Sequence, residues 1–287
     1  MLKPKVILLL LFLTTALACL ILYFLGSILV SPKPSIIGTP PQELPIEVVR
    51  MPKGNNESTQ GWFLKGEPDK AGILLLHGVK SDRLEMLDRA RFLFSEGYSV
   101  LLIDMQAHGE TPGKHLTFGV LESIDAHIGL AYLKGRVENN KTAVIGSSMG
   151  GASALLGQHP LDADAVVIEG VYAKLEEAIA NRIAIRLGQP AKILTPLLSL
   201  QLEPRLGISL GSVAPAKAIS QLQAPVLIIS GAQDKHALPS EAQAIYDNAN
   251  QPKSLWIVDG ASHEDIHKFD SAKYEERILN FLSKHLD

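Results

Sequence analysis

The stretch "AVIGSSMGGASALL", Ala143 to Leu156, decides how this chain is read. An apolar run breaks at Gly146-Ser147-Ser148-Met149-Gly150 and resumes as a small-residue segment with helical character. Residue 145 is isoleucine, so only Ser148 occupies the centre of a Gly-x-Ser-x-Gly pattern. Between a strand and a helix, this pattern describes a sharp turn that lifts the central side chain above a sheet edge. Glycine is needed there because the backbone is strained and a neighbouring element approaches closely. Taken alone, the pattern is also that of a tight turn without chemistry, so its surroundings must decide.

On either side, short apolar runs recur at the spacing of alternating strands and helices: "GILLLHG" (72–78), "YSVLLIDM" (98–105), "TAVIGS" (142–147), "DAVVIEG" (164–170), "APVLIIS" (224–230) and "KSLWIVDG" (253–260). Continuous Val/Ile/Leu strands imply burial on both faces, as in a mostly parallel sheet covered by helices. The segments "RLEMLDRARFLFSEG" (83–97) and "GVLESIDAHIGLAYLKG" (119–135) read as intervening helices, each closed by a glycine. Upstream, "IEVVRM" and "GWFLKG" flank a polar turn at Gly54-Asn55-Asn56 and predict an antiparallel pair. Residues 172–218 hold no convincing strand; "KLEEAIANRIAIRLG" is helical, and "AKILTPLLSLQLEPRLGISLG" is apolar and rich in breakers. Placed before the penultimate strand, this interval is expected to form a lid over the C-terminal sheet edge. Its apolar residues either line a substrate cleft or pack on the core.

A serine hydroxyl needs a base to act as a nucleophile. Of nine histidines, His263 in "WIVDGASHEDI" lies just after the last strand, where a side chain can hang over the sheet edge. His127 and His285 read as surface or packing residues, and His115, His159 and His267 have no strand end to hold them. His236 lies only two residues beyond Asp234. The acid that orients the imidazole is expected to be Asp234, in "LIISGAQDKHALP", with Glu169 in reserve. Ser148, Asp234 and His263 then follow three separate strand ends in the order Ser…Asp…His of α/β-hydrolases. The backbone N–H of Met149 and that of Val79, in the loop after "GILLLHG", are the expected oxyanion donors. His77 and Gly78 shape that loop.

The N-terminus is of another kind. Lys3 and Lys5 precede an apolar run from Val6 to Val30, about 37 Å long as a helix and enough to cross a bilayer. Residues 1–30 are expected to be a signal anchor with its span at 6–30. The alternative is cleavage or lipidation at Cys19, in "TTALAC", the chain's single cysteine. The two lysines favour a single-pass topology with the catalytic domain outside the cytoplasm. Residues 31–45, "SPKPSIIGTPPQELP", carry five prolines and read as an extended tether, leaving 46–287 as the folded domain. A net charge of -3 without a basic block argues against nucleic-acid binding. One cysteine excludes an intrachain disulfide and a cysteine-based metal site.

The segments "LLLHG", "LLIDMQAHGET", "VIGSSMGG", "PVLIISGAQDKHALP" and "DGASHED" resemble the α/β-hydrolase superfamily. They are most similar to its membrane-anchored Bem46-like (ABHD-type) serine hydrolases and to the related peptidase-like group. The resemblance runs from about Ile46 to Asp287. It implies an α/β-hydrolase fold with a helical lid, and a serine hydrolase acting on a carboxylic ester or thioester, with neither cofactor nor metal. A small-molecule or lipid-like acyl substrate fits the apolar lid and the anchor. The superfamily's D-x-x-G-x-G-x-S pattern stands here as Asp104 to Thr111, with Ala107 and Thr111 departing from it; these positions, His108 included, are expected to order a loop. An acyltransferase, a peptidase and a non-catalytic binding protein on the same fold are the alternatives.

Overall fold

The computed structural model describes residues 3–54, 56–138, 141–263 and 265–286. Eight strands form one sheet: β1 (Ile46–Gly54), β2 (Glu57–Leu64), β3 (Gly72–Leu76), β4 (Ser99–Asp104), β5 (Thr142–Ser147), β6 (Ala165–Glu169), β7 (Val226–Gly231) and β8 (Lys253–Val258). Their spatial order is β8-β7-β6-β5-β3-β4-β2-β1. Strands β3 to β8 pair in parallel, while β2 runs antiparallel to β4 and to β1. The expected N-terminal pair is present, with Ile46 opposite Leu64; Asn55 of its turn lies outside the described residues.

The continuous apolar strands are explained by two cores, one on each face. Alternate residues of β3 separate cleanly: Leu74 and Leu76 pack with helices α3 (Glu122–Lys134) and α4 (Met149–Leu155). Ile73 and Leu75 pack instead with α2 (Leu87–Ser95) and with a C-terminal helix at Ser271–Leu286. All four are completely buried, and burying each such side chain stabilises the fold by about 1.5–3 kcal/mol. The register aligns Leu76 with Gly146, Ser147 with Glu169 and Gly231 with Val258, so the loops leaving these strands gather at one edge. Ligands of open parallel sheets bind at this carboxyl edge.

Between β6 and β7 lie α5 (Leu175–Leu187) and α6 (Thr195–Leu206). The breaker-rich segment is thus helical over α6. Pro196 opens that helix, where its missing N–H would be unpaired in any case, and Pro204 lies inside it near its end. The apolar residues of this insertion divide: Leu202 and Leu210 join the core, Leu175 and Ile179 line a cavity, and Ile193 and Leu200 are exposed.

Helix α1 (Pro4–Leu29) is long and apolar enough to cross a membrane, and residues 3–21 are exposed. Its last turns are bound to α6. Gln201 Nε2 donates to the Leu22 carbonyl (2.8 Å), and Arg205 donates to Ser27 Oγ (2.6 Å) and the Tyr23 carbonyl (2.8 Å). Val30 is buried in the core, and its carbonyl accepts from Leu116 N (2.9 Å). The proline-rich segment then starts as a short parallel pairing of Lys33–Pro34 with His108–Gly109, so its first residues are held against the domain.

Candidate active site

Ser148 sits at the junction of β5 and α4 with φ +47°, a left-handed conformation that costs about 1–3 kcal/mol in a non-glycine residue. Its N–H is tied to the Glu169 carbonyl (2.7 Å) on β6. The flanking glycines are required by contact. A Cβ on Gly150 would lie 2.3 Å from the Leu76 carbonyl oxygen, and one on Gly146 would lie 2.5 Å from Gly151 N.

His263 Nδ1 and Asp234 Oδ2 are 2.7 Å apart. The other oxygen of Asp234 accepts from the N–H groups of His236 (2.7 Å) and Ala237 (2.9 Å), which fix the carboxylate. With Nδ1–H donated to Asp234, Nε2 is the basic nitrogen. Ser148, Asp234 and His263 line one cavity of about 400 Å³, together with Val79. A smaller apolar cavity of about 130 Å³ adjoins it, lined by Met149, Phe118, Tyr172, Leu175, Ile179 and Leu29; Ser148, Val79 and Arg182 border both. The N–H groups of Val79 and Met149 have no hydrogen-bond partner among the described residues. Of the five residues singled out in the sequence, Ser148, Asp234, His263 and Val79 thus line one cavity and Met149 the adjoining one; among the described residues no hydrogen bond joins Ser148 Oγ to His263.

Glu169 is engaged elsewhere. It accepts from Arg89 Nη2 (2.6 Å) and from the Tyr274 hydroxyl, and Arg89 also pairs with Asp265 (2.8 Å). Burial is the main factor that drives the Tyr274 hydroxyl well above its ordinary pKa, with the Glu169 charge adding to it, so it stays a neutral donor. His77 and His108 act on the loops. His77 Nδ1 lies 2.8 Å from the Gly78 carbonyl, and its Nε2 accepts from Met105 N (3.1 Å). His108 Nε2 accepts from Lys80 N (3.0 Å). Asp104 accepts from Arg83 N and Nε and from Glu110 N. Ala107 takes φ +63° where the superfamily pattern has glycine, and Thr111 Oγ1 accepts from Gln60 N (2.9 Å).

Sequence reasoning passed over His236, whose ring lies 4.9 Å from that of His263 and which lines the larger cavity. Its position two residues from Asp234 was the available signal. Burial, then neighbouring His263, lowers its pKa. Glu85, Arg89 and Arg182 also line that cavity, and each comes from a helical segment that carries no motif. Among the described residues no group of three His, Cys, Asp or Glu is placed to hold a metal ion.

Residues 67–209 match the family model described as serine aminopeptidase, S33. The YqkD protein of Bacillus subtilis is 26% identical over 236 residues, covering 81% of this chain and 77% of that protein. The alpha/beta hydrolase domain-containing protein WAV2 of Arabidopsis thaliana is 24% identical over 241 residues, covering 78% of this chain and 74% of its own. Among solved structures, the Pyrococcus furiosus esterase Pf2001 superposes with a TM-score of 0.74 at 24% identity, over 90% of this chain and 99% of that one.

Proposed function

We propose that this chain is a serine hydrolase of the α/β-hydrolase superfamily, membrane-anchored and of the Bem46-like kind, cleaving a carboxylic ester or thioester through an acyl-enzyme at Ser148. The observation that carries this reading is the 2.7 Å His263–Asp234 pair sharing one cavity with the strained Ser148.

In the first half-reaction the Ser148 oxygen bonds to the substrate's carbonyl carbon while its proton passes to His263 Nε2. Asp234 stabilises the imidazolium so formed, and the N–H groups of Val79 and Met149 receive the oxyanion. The bond to the leaving alcohol or thiol then breaks, and His263 returns the proton to it. In the second half, water gives its proton to His263 and its oxygen to the acyl carbon, and Ser148 leaves protonated, releasing the acid. The apolar cavity beside Ser148 suits an acyl chain. Helix α1 supplies the anchor, and Lys3 and Lys5 before it favour an extracytoplasmic catalytic domain.

An aminopeptidase must hold a substrate ammonium with a carboxylate. In the larger cavity Glu85 accepts from Gly78 N, Glu169 and Asp265 pair with Arg89, and Asp234 holds His263. Three of these four carboxylates are ion-paired and Glu85 accepts only a backbone N–H, so the choice between an ester and an aminoacyl amide turns on substrate. Purified full-length protein in detergent should hydrolyse 4-nitrophenyl acyl esters and leave aminoacyl 4-nitroanilides intact. Turnover of the anilides alone would replace this reading with a peptidase.

A further inference from the structure

Three cationic side chains border the apolar cavity beside Ser148: Lys80, Arg182 and Arg186. Among the described residues, none has a carboxylate within 4 Å. Lys80 Nζ is used by the end of α1, donating to the Ile28 carbonyl (2.7 Å). Arg186 is exposed. Arg182 differs from both. It is half-buried, it borders the apolar and the polar cavity alike, and Nη1 donates to Ala178 O (3.2 Å) on its own helix. A guanidinium carries five N–H donors in a rigid fork, so most of its capacity is unspent.

Arg89 lines the larger cavity too, but Glu169 and Asp265 neutralise it and Tyr274 accepts from its Nε (3.1 Å). Arg182 is a cation withdrawn from water beside the reacting serine without a paired anion. Burial chiefly pulls its pKa down; the charges of Tyr172, Asp234 and Glu241 oppose this, and Arg186 adds a smaller lowering. An unpaired, partly desolvated charge is costly, and an arriving anion removes that cost through charge-assisted, bidentate hydrogen bonds.

We propose that Arg182, reinforced by Arg186, binds an anionic group carried by the substrate close to its scissile carbonyl. The ligand class is a single-chain acyl ester bearing a phosphate or a carboxylate, with its chain in the apolar cavity. The ester assignment rests on Ser148 being the nucleophile; the anion site does not.

Three matched esters test this on the full-length protein in detergent: 1-octanoylglycerol, its 3-phosphate, and 3-O-octanoylglycerate. The wild type should prefer at least one anionic ester over the neutral one by about tenfold in kcat/KM, the scale of one charged hydrogen bond. Whichever anion is preferred identifies the group. Arg182→Gln should lower that preference about tenfold, mainly through KM, and Arg182→Lys should restore part of it. Equal or poorer use of both anions by the wild type, or a parallel loss on all three esters in Arg182→Gln, would overturn the proposal.

A second arm needs no catalysis. Octyl phosphate binding to the Ser148→Ala protein, measured by calorimetry, should weaken about tenfold when Arg182→Gln is added. If the wild type neither turns over an ester nor reacts with a fluorophosphonate, the nucleophile reading falls. The anion site then stands on Arg182-dependent octyl phosphate binding and is refuted by its absence.

Discussion

Two carboxylates reach the same sheet edge, and their partners separate them. Asp234 is held by two backbone N–H groups and turned towards His263; Glu169 is closed in by Arg89 and Tyr274. Replacing Asp234 by Asn removes the group that sets the imidazole's tautomer, so kcat should fall by about 10⁴ with the fold intact. Replacing Glu169 by Gln leaves Asp265 to hold the buried Arg89, and stability should fall by about 1–3 kcal/mol with a far smaller loss of activity in the folded fraction. Chemical denaturation and initial rates on both variants distinguish the roles; equal kinetic losses would contradict this division. The placement of Ser148, Asp234 and His263 at one sheet edge was legible because each follows an apolar strand run within a few residues. Arg89, Tyr274 and Arg182 were not. They lie on helices, and Arg89 meets Glu169 and Tyr274 across 80 and 185 residues of chain, a separation no local pattern records.

At the scale of elements, the loop after β3 carries Val79 and is set by the loop after β4. His108 joins them, its Nδ1 facing the Gln106 carbonyl (2.9 Å) and its Nε2 accepting from Lys80 N. Only the neutral ring satisfies both contacts. Burial above all, with His77 beside it, lowers the His108 pKa from 6.5 to about 4. The unfolded chain therefore takes up this proton below pH 6.5, while the native protein resists it until about pH 4. Stability is fully present above 6.5 and is lost as pH falls from 6.5 to 4, by up to about 3 kcal/mol. Urea midpoints at pH 7.5 and 4.5 should differ less in His108→Asn than in the wild type, and an unchanged difference would contradict the assignment. The strands were legible in order and kind, because burial on both faces leaves an unbroken apolar run. Helix α6 was obscured by its prolines, whose tolerated positions depend on where the helix begins and ends.

For the whole molecule, the apolar N-terminal helix is part of the domain's construction. Leu29 lines the cavity next to Ser148, Val30 enters the core, and α6 is bound to the preceding turns. Sequence alone separates the apolar run from the domain, since composition changes sharply at Ser31 while the packing of Leu29 and Val30 leaves no trace in it. Shortening the chain at residue 30 would remove a wall of the apolar cavity, so the decisive experiment uses the full-length protein in detergent. It is labelling by a fluorophosphonate probe of the wild type, Ser147→Ala and Ser148→Ala. An activated Ser148 predicts strong labelling of the wild type and Ser147→Ala, and none of Ser148→Ala. A folded wild type that does not label, or a Ser148→Ala protein that labels as well as the wild type, would contradict the claim that Ser148 is the nucleophile.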